Sequence, residues 1–149
     1  MRKIHYICLP LLLLALTTCH TDINVDSPVP KCTVNFALNI MVDAPILNTQ
    51  GGFYTVTSPM KYGQYIGYSG LLIVHGFDDK FYCYDLCCPT ECKREITVEP
   101  AIDGTAKCKK CDTMYDIGFG SGMPQKGSSK YRLRKYRVIV SGYNITVQN

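Results

Sequence analysis

Two pairs of closely spaced cysteines constrain this chain more than any other feature. Cys88 and Cys92 lie in CCPTEC, and Cys108 and Cys111 lie in AKCKKC. Paired thiolates of this kind suit one tetrahedral zinc or a small iron–sulfur cluster. A short C-x-x-C turn lets both sulfurs face one ion without straining the backbone. The reading therefore requires a fold that carries the two turns to one place. Its ligands are Cys88, Cys92, Cys108 and Cys111, and Cys87 could stand in for Cys88.

The intervening chain reads as nearly all β. Thr33–Ile40 alternates, with Val34, Phe36, Leu38 and Ile40 on one side, and a period of two means a half-buried strand. Asn48–Gly52 is a turn, followed by a strand over Gly52–Thr57. Gly63–Gly70, rich in Gly and Tyr, reads as a link or bulge. Leu71–His75 and Lys80–Leu86 flank Gly76-Phe77-Asp78-Asp79, a hairpin signal. Thr97–Glu99 and Gly104–Lys107 form a shorter hairpin. Gly118–Gly127 holds four glycines and a proline and reads as loop. Tyr131–Ser141 and Asn144–Gln148 make a last hairpin through Gly142-Tyr143. No segment sustains a helical period.

The front of the chain reads as an export signal. Arg2 and Lys3 precede an apolar run from Tyr6 to Leu16, shorter than the roughly 20 residues a spanning helix needs. Leu16-Thr17-Thr18-Cys19 then resembles a bacterial lipobox, with Thr18 a departure from the usual small residue. The resemblance implies lipidation of Cys19 and a membrane anchor, each buried methylene adding about 0.8 kcal/mol. An ordinary secretory signal is the alternative. The expected organisation is a signal peptide over 1–18, a polar, proline-containing tether over 19–31 and one domain over 32–149. The expected location is the bacterial cell envelope, on the periplasmic or cell-surface side.

Charge limits the partners. The net charge of +4 falls to +2 without Arg2 and Lys3, which gives no argument for nucleic acid. One segment is locally basic, with Lys126, Lys130, Arg132, Arg134, Lys135 and Arg137 and no acid among them. It reads as the wet face of a strand, or as a docking patch for an acidic redox partner.

From Gly70 onward the order resembles a Rieske domain. The residues that carry this are GLLIVHGFDDKFYCYDL, then CCPTEC, then AKCKKCDTMYDIGFGSGMPQKGSSKYRLRKYRV and a terminal hairpin. Asp112-Thr113-Met114-Tyr115-Asp116 stands where Rieske domains have Gly-Ser-x-Phe-Asp. The chain is most similar to exported Rieske-like lipoproteins of Bacteroidetes-type bacteria. The resemblance implies a Rieske-like antiparallel β-sandwich with two rubredoxin-like metal-binding loops. It also implies a 2Fe–2S cluster, one-electron transfer and a redox partner protein. Cys88 is favoured over Cys87 because it precedes Pro89, as the ligand does in such loops.

The departures alter the chemistry. A Rieske centre holds one iron by two cysteines and the other by two histidines. Thr90 and Cys111 stand at the histidine positions here, so a histidine-ligated cluster cannot form from these loops alone, whereas an all-thiolate site can. Such a cluster would have a potential several hundred millivolts below a Rieske centre, toward the ferredoxin range. The alternative cofactor is a four-cysteine zinc, in a structural or interaction module with no redox role. Disulfides are a third possibility in an exported protein. Pairing within either turn would be strained, whereas a cross-loop pair such as Cys92 to Cys111 would not. Cys83 reads as a small packed apolar residue, and His75 as an ordinary strand residue with no triad near it. The scattered acids Asp78, Asp79, Asp85, Glu91 and Glu95 suggest no acid–base pair, so an electron-transfer or binding protein is expected rather than an enzyme.

Overall fold

The computed structural model describes residues 26–149, which include the expected domain and the last part of the expected tether. The expected signal segment and Cys19 lie outside the described residues. Eleven strands dominate: β1 Val34–Asn39, β2 Phe53–Val56, β3 Tyr65–Ile66, β4 Leu71–His75, β5 Phe81–Asp85, β6 Val98–Pro100, β7 Thr105–Cys108, β8 Met114–Asp116, β9 Pro124–Lys126, β10 Lys135–Ser141 and β11 Asn144–Gln148. Among the described residues one 3-10 turn, at Pro45–Asn48, interrupts them. The fold is all-β and antiparallel. Among the described residues no helix is long and apolar enough to cross a membrane.

Seven strands form one sheet in the order β2-β4-β5-β10-β11-β1-β3, and β6-β7-β8-β9 form a second. On β1, Val34, Phe36 and Leu38 are buried while Asn35 and Ala37 face water, the alternation its sequence dictates. These side chains share one core with Leu71 and Ile73 of β4, Cys83 of β5, Tyr136 of β10 and Ile145 and Val147 of β11. Strands several places apart in one sheet meet in that core because the sheet curls around it.

β4 behaves differently. Its Leu71-Leu72-Ile73-Val74 run is completely buried. Leu71 and Ile73 enter the first core, while Leu72 and Val74 enter a second one with Tyr84, Leu86, Val98, Ala106, Tyr115, Ile117 and Leu133. An unbroken apolar run is what a strand covered on both faces requires. β4 and β5 are thus the wall between two cores, and the four-stranded sheet closes the second.

Three short strands lie where the sequence reading places none: β8 at Met114–Asp116 and the two edge strands β9 and β3. Pro124–Lys126, inside the expected Gly118–Gly127 loop, pairs with β8 across a bulge as an edge strand. An edge position tolerates proline, which has no N–H to give a ladder. Tyr65–Ile66, in the Gly/Tyr-rich link, pairs with Val34 and Asn35 at the opposite edge of the large sheet. The rest of the loop keeps its glycines for a steric reason. At Gly120, φ is +79° and an added Cβ would lie 2.2 Å from the Tyr82 ring.

The basic segment is partly consumed by the fold. Arg134 Nε donates to Val29 O at 2.6 Å, and its Nη2 donates to Ser27 O, pinning the entering chain against β10. Lys135 Nζ donates to Gly120 O at 2.7 Å and lies 4.6 Å from the Tyr82 ring centre.

Candidate metal centre

Two loops at one end of the second core carry the cysteine pairs. The first follows β5 and closes on itself. Cys88 N donates to Ile96 O at 2.9 Å, and Cys92 N donates to Cys88 O at 2.9 Å. The second joins β7 to β8, where Cys108 N donates to Thr113 O at 3.0 Å. Asp112, just after the second cysteine, turns the chain back with φ of +55°. Aspartate is among the few residues that tolerate this left-handed conformation.

The loops bring three sulfurs together. The Sγ atoms of Cys88, Cys108 and Cys111 all lie within 4.8 Å of one another. Cys88 and Cys111, from different loops, are 3.6 Å apart. That is far beyond a disulfide bond of about 2.05 Å. It is close to the edge of a tetrahedron of thiolates around one zinc, about 3.8 Å for bonds of about 2.3 Å.

Cys92 stands outside this group. It adopts φ of +50°, and its thiol points to Pro89 O at 3.6 Å. The thiol of Cys87 is also turned away, donating to Lys93 O at 3.5 Å. Cys83 is packed in the first core. All seven described cysteines are free thiols.

His75 is remote from the sulfurs. It ends β4 opposite Phe81, whereas the cysteine loop leaves the other end of the hairpin, where Leu71 pairs Asp85. Four residues of strand separate the two ends by about 13 Å. His75 stacks on Phe81 with ring centres 4.5 Å apart, and its Nδ1 lies 2.9 Å from Leu47 O.

Oxygen donors border the sulfurs. Tyr115 Oη on β8 lies 3.8 Å from Cys88 Sγ and 3.4 Å from Thr90 Oγ1. Cys111 Sγ lies 3.3 Å from Thr113 Oγ1, within hydrogen-bond reach. The sequence offered a signal for both: Thr113, Tyr115 and Ile117 alternate on one face of β8 and its extension, and all three are buried.

Burial sets the protonation. It pushes the Cys108 thiol up to about 12, and the neighbouring Cys88 adds to this while backbone hydrogen bonds from Cys111 and Lys110 oppose it. Burial also pushes Cys87 up to about 12 and raises the Tyr115 phenol further. At Cys111 burial likewise resists ionisation. There the hydrogen bonds of Thr113, Cys88 and Cys108 outweigh it and hold the thiol below its ordinary value. Cys111, half-buried, is thus a sulfur favoured as a thiolate, the form that binds metals.

The donor set fits one soft metal ion. Three thiolates converge, and Tyr115 Oη, Thr90 Oγ1, water or a reoriented Cys92 could complete four-coordination. A four-thiolate 2Fe–2S cluster fits less directly, because it needs Cys92 to join the other three.

A further residue organises the first loop. Asp85, the last residue of β5, is completely buried. Its Oδ2 accepts from Tyr68 N at 2.7 Å and Tyr136 Oη at 2.8 Å. Its Oδ1 accepts from Ser69 N at 3.1 Å and Cys87 N at 2.9 Å. Both oxygens are therefore fully used. The carboxylate fixes the backbone one residue before Cys88.

No family model matches the chain, and no curated protein matches it. One of the solved structures that match is described as the complex of reduced oxygenase and oxidized ferredoxin in carbazole 1,9a-dioxygenase. The match covers 79% of this chain and 99% of that one, at 16% identity and a TM-score of 0.46. A likeness this remote assigns no chemistry.

Proposed function

We propose that this chain is a Rieske-like metal-binding protein, exported and membrane-anchored through Cys19, with its centre at Cys88, Cys108 and Cys111. The observation that carries the metal reading is the convergence of three sulfurs, all within 4.8 Å, from two separate loops. The compactness of the group favours a single ion. Thiolates bound to different irons of a two-iron cluster stand farther apart than thiolates sharing one ion. Zinc, which takes thiolates tetrahedrally and has no redox chemistry, suits such a site. Bound there, it would tie the loop after β5 to the β7–β8 turn. The domain would then serve as a structural or interaction module on the envelope.

A second reading rests on Cys92. It shares the first loop with Cys88 and is only partly buried. Rotation of its side chain would bring a fourth thiolate, and a 2Fe–2S cluster held by four thiolates would make the protein a one-electron carrier.

Metal analysis of the full chain, purified under reducing conditions, separates these readings. One zinc per chain in a colourless protein is expected. A brown protein containing iron and acid-labile sulfide would establish the electron carrier instead. A chain that takes up neither metal would remove both readings. For the anchor, Cys19→Ala is expected to release the protein from the membrane fraction, and continued sedimentation with membranes would refute lipidation at that residue.

A further inference from the structure

Cys88 and Cys111 belong to loops 23 positions apart in the chain, yet their sulfurs are 3.6 Å from one another. Cys108 Sγ also lies within 4.8 Å of both, but that residue is completely buried. Cys88 is completely buried, while Cys111 lies at the rim and is only partly covered. One sulfur can therefore meet a reagent from solution, and the other waits directly behind it. Exposed Lys110 precedes Cys111 in the same turn and contributes a positive charge there, while Asp112 on the other side is paired with Lys107 at 2.9 Å.

We propose that in the metal-free chain Cys88 and Cys111 form a thiol–disulfide exchange site, whose substrate is a small anionic disulfide of the glutathione disulfide class. The inference rests on the thiol group assigned above as a metal centre, and on no particular metal. Cys111 loses its proton and its sulfur attacks one sulfur of the substrate. The substrate's S–S bond breaks, and one small thiolate leaves and takes up a proton. The mixed disulfide on Cys111 then lies beside Cys88. Cys88 gives up its proton and attacks Cys111 Sγ, and the second small thiol departs. In sum, two protein thiols lose two electrons and the external disulfide gains them, becoming two thiols. Closure to about 2.05 Å needs the sulfurs to approach by side-chain rotation. The product removes two of the three converging ligands. Oxidation and metal binding thus exclude one another, and oxidation would eject a bound ion.

The test uses the full chain, reduced, stripped with a chelator and exposed to glutathione disulfide. Free thiols are then blocked and the peptides mapped. The expected result is loss of two titratable thiols per chain and a crosslinked peptide joining Cys88 to Cys111. Zinc added beforehand is expected to slow this at least tenfold. Cys92→Ser is expected to form the same link. A link within the Cys108–Cys111 turn, a link between Cys87 and Cys92, or no link would overturn the proposal. The map of the unaltered chain decides this without any variant. A chain that forms the link but binds no metal retracts the metal reading alone. One that binds metal but forms no link retracts this inference alone.

Discussion

Cys108→Ser is expected to leave the domain unable to retain metal through gel filtration, while Cys83→Ser leaves metal content unchanged. Cys108 is buried at the end of β7, and its sulfur is one of the three that converge among the described residues. Removing a direct ligand must cost more than the loss of a partner that merely orients one, which is worth about 10–100-fold in affinity. A serine hydroxyl is a poor soft-metal ligand and remains protonated at neutral pH. It would also lie in an apolar core beside Val98, Ala106 and Ile117. The check is metal per chain by elemental analysis, paired with a circular dichroism spectrum to establish folding. Full metal occupancy in a folded Cys108→Ser protein would refute the assignment of this residue as a ligand. Cys83 sits in the other core, across the β4–β5 wall, so its variant controls for the general effect of a buried serine.

Asp85→Ala is expected to be the most destabilising single substitution away from the sulfurs. It strands three backbone N–H groups and the Tyr136 hydroxyl, all of which now donate to one carboxylate. Breaking a buried charged network by removing one partner typically costs about 3–5 kcal/mol. Against a total stability of about 5–15 kcal/mol, that is a large share. The melting temperature should fall on the order of 10–20 °C. Asp85→Asn keeps one good acceptor and should lose less. A melting temperature for the alanine variant within a degree or two of the parent would show that these four bonds contribute little. Because Cys87 N is one of the four donors, a folded Asp85→Asn protein should also bind metal more weakly than the parent.

Much of this architecture is legible in the sequence, and the reasons are local. The alternation over β1, the double-sided apolar run of β4 and the two hairpins around Gly76–Asp79 and Gly142-Tyr143 each carry their own signal. The edge strands β3 and β9 do not. Two or three residues are too few for a period to show, and their pairing is imposed by the neighbouring strand. The 3-10 turn at Pro45–Asn48 is hidden for the same reason. At the candidate centre, spacing alone identifies two cysteine turns. It does not reveal which way each sulfur points. Cys92 departs from the other three through its left-handed backbone and the bond of its thiol to Pro89 O. The part played by Asp85 is also invisible in one dimension, because its four donors come from three separate stretches of chain. Read as an isolated acid at the end of a strand, it looks like a solvated residue.

The wall formed by β4 and β5 has a consequence for how the molecule comes apart. Leu71 and Ile73 press on one side of it, and Leu72 and Val74 on the other. Neither half can loosen while its neighbour stays intact, since they own the same backbone. The protein should therefore melt in one cooperative step, with the slowest amide hydrogen exchange concentrated along β4 rather than divided between two independent units.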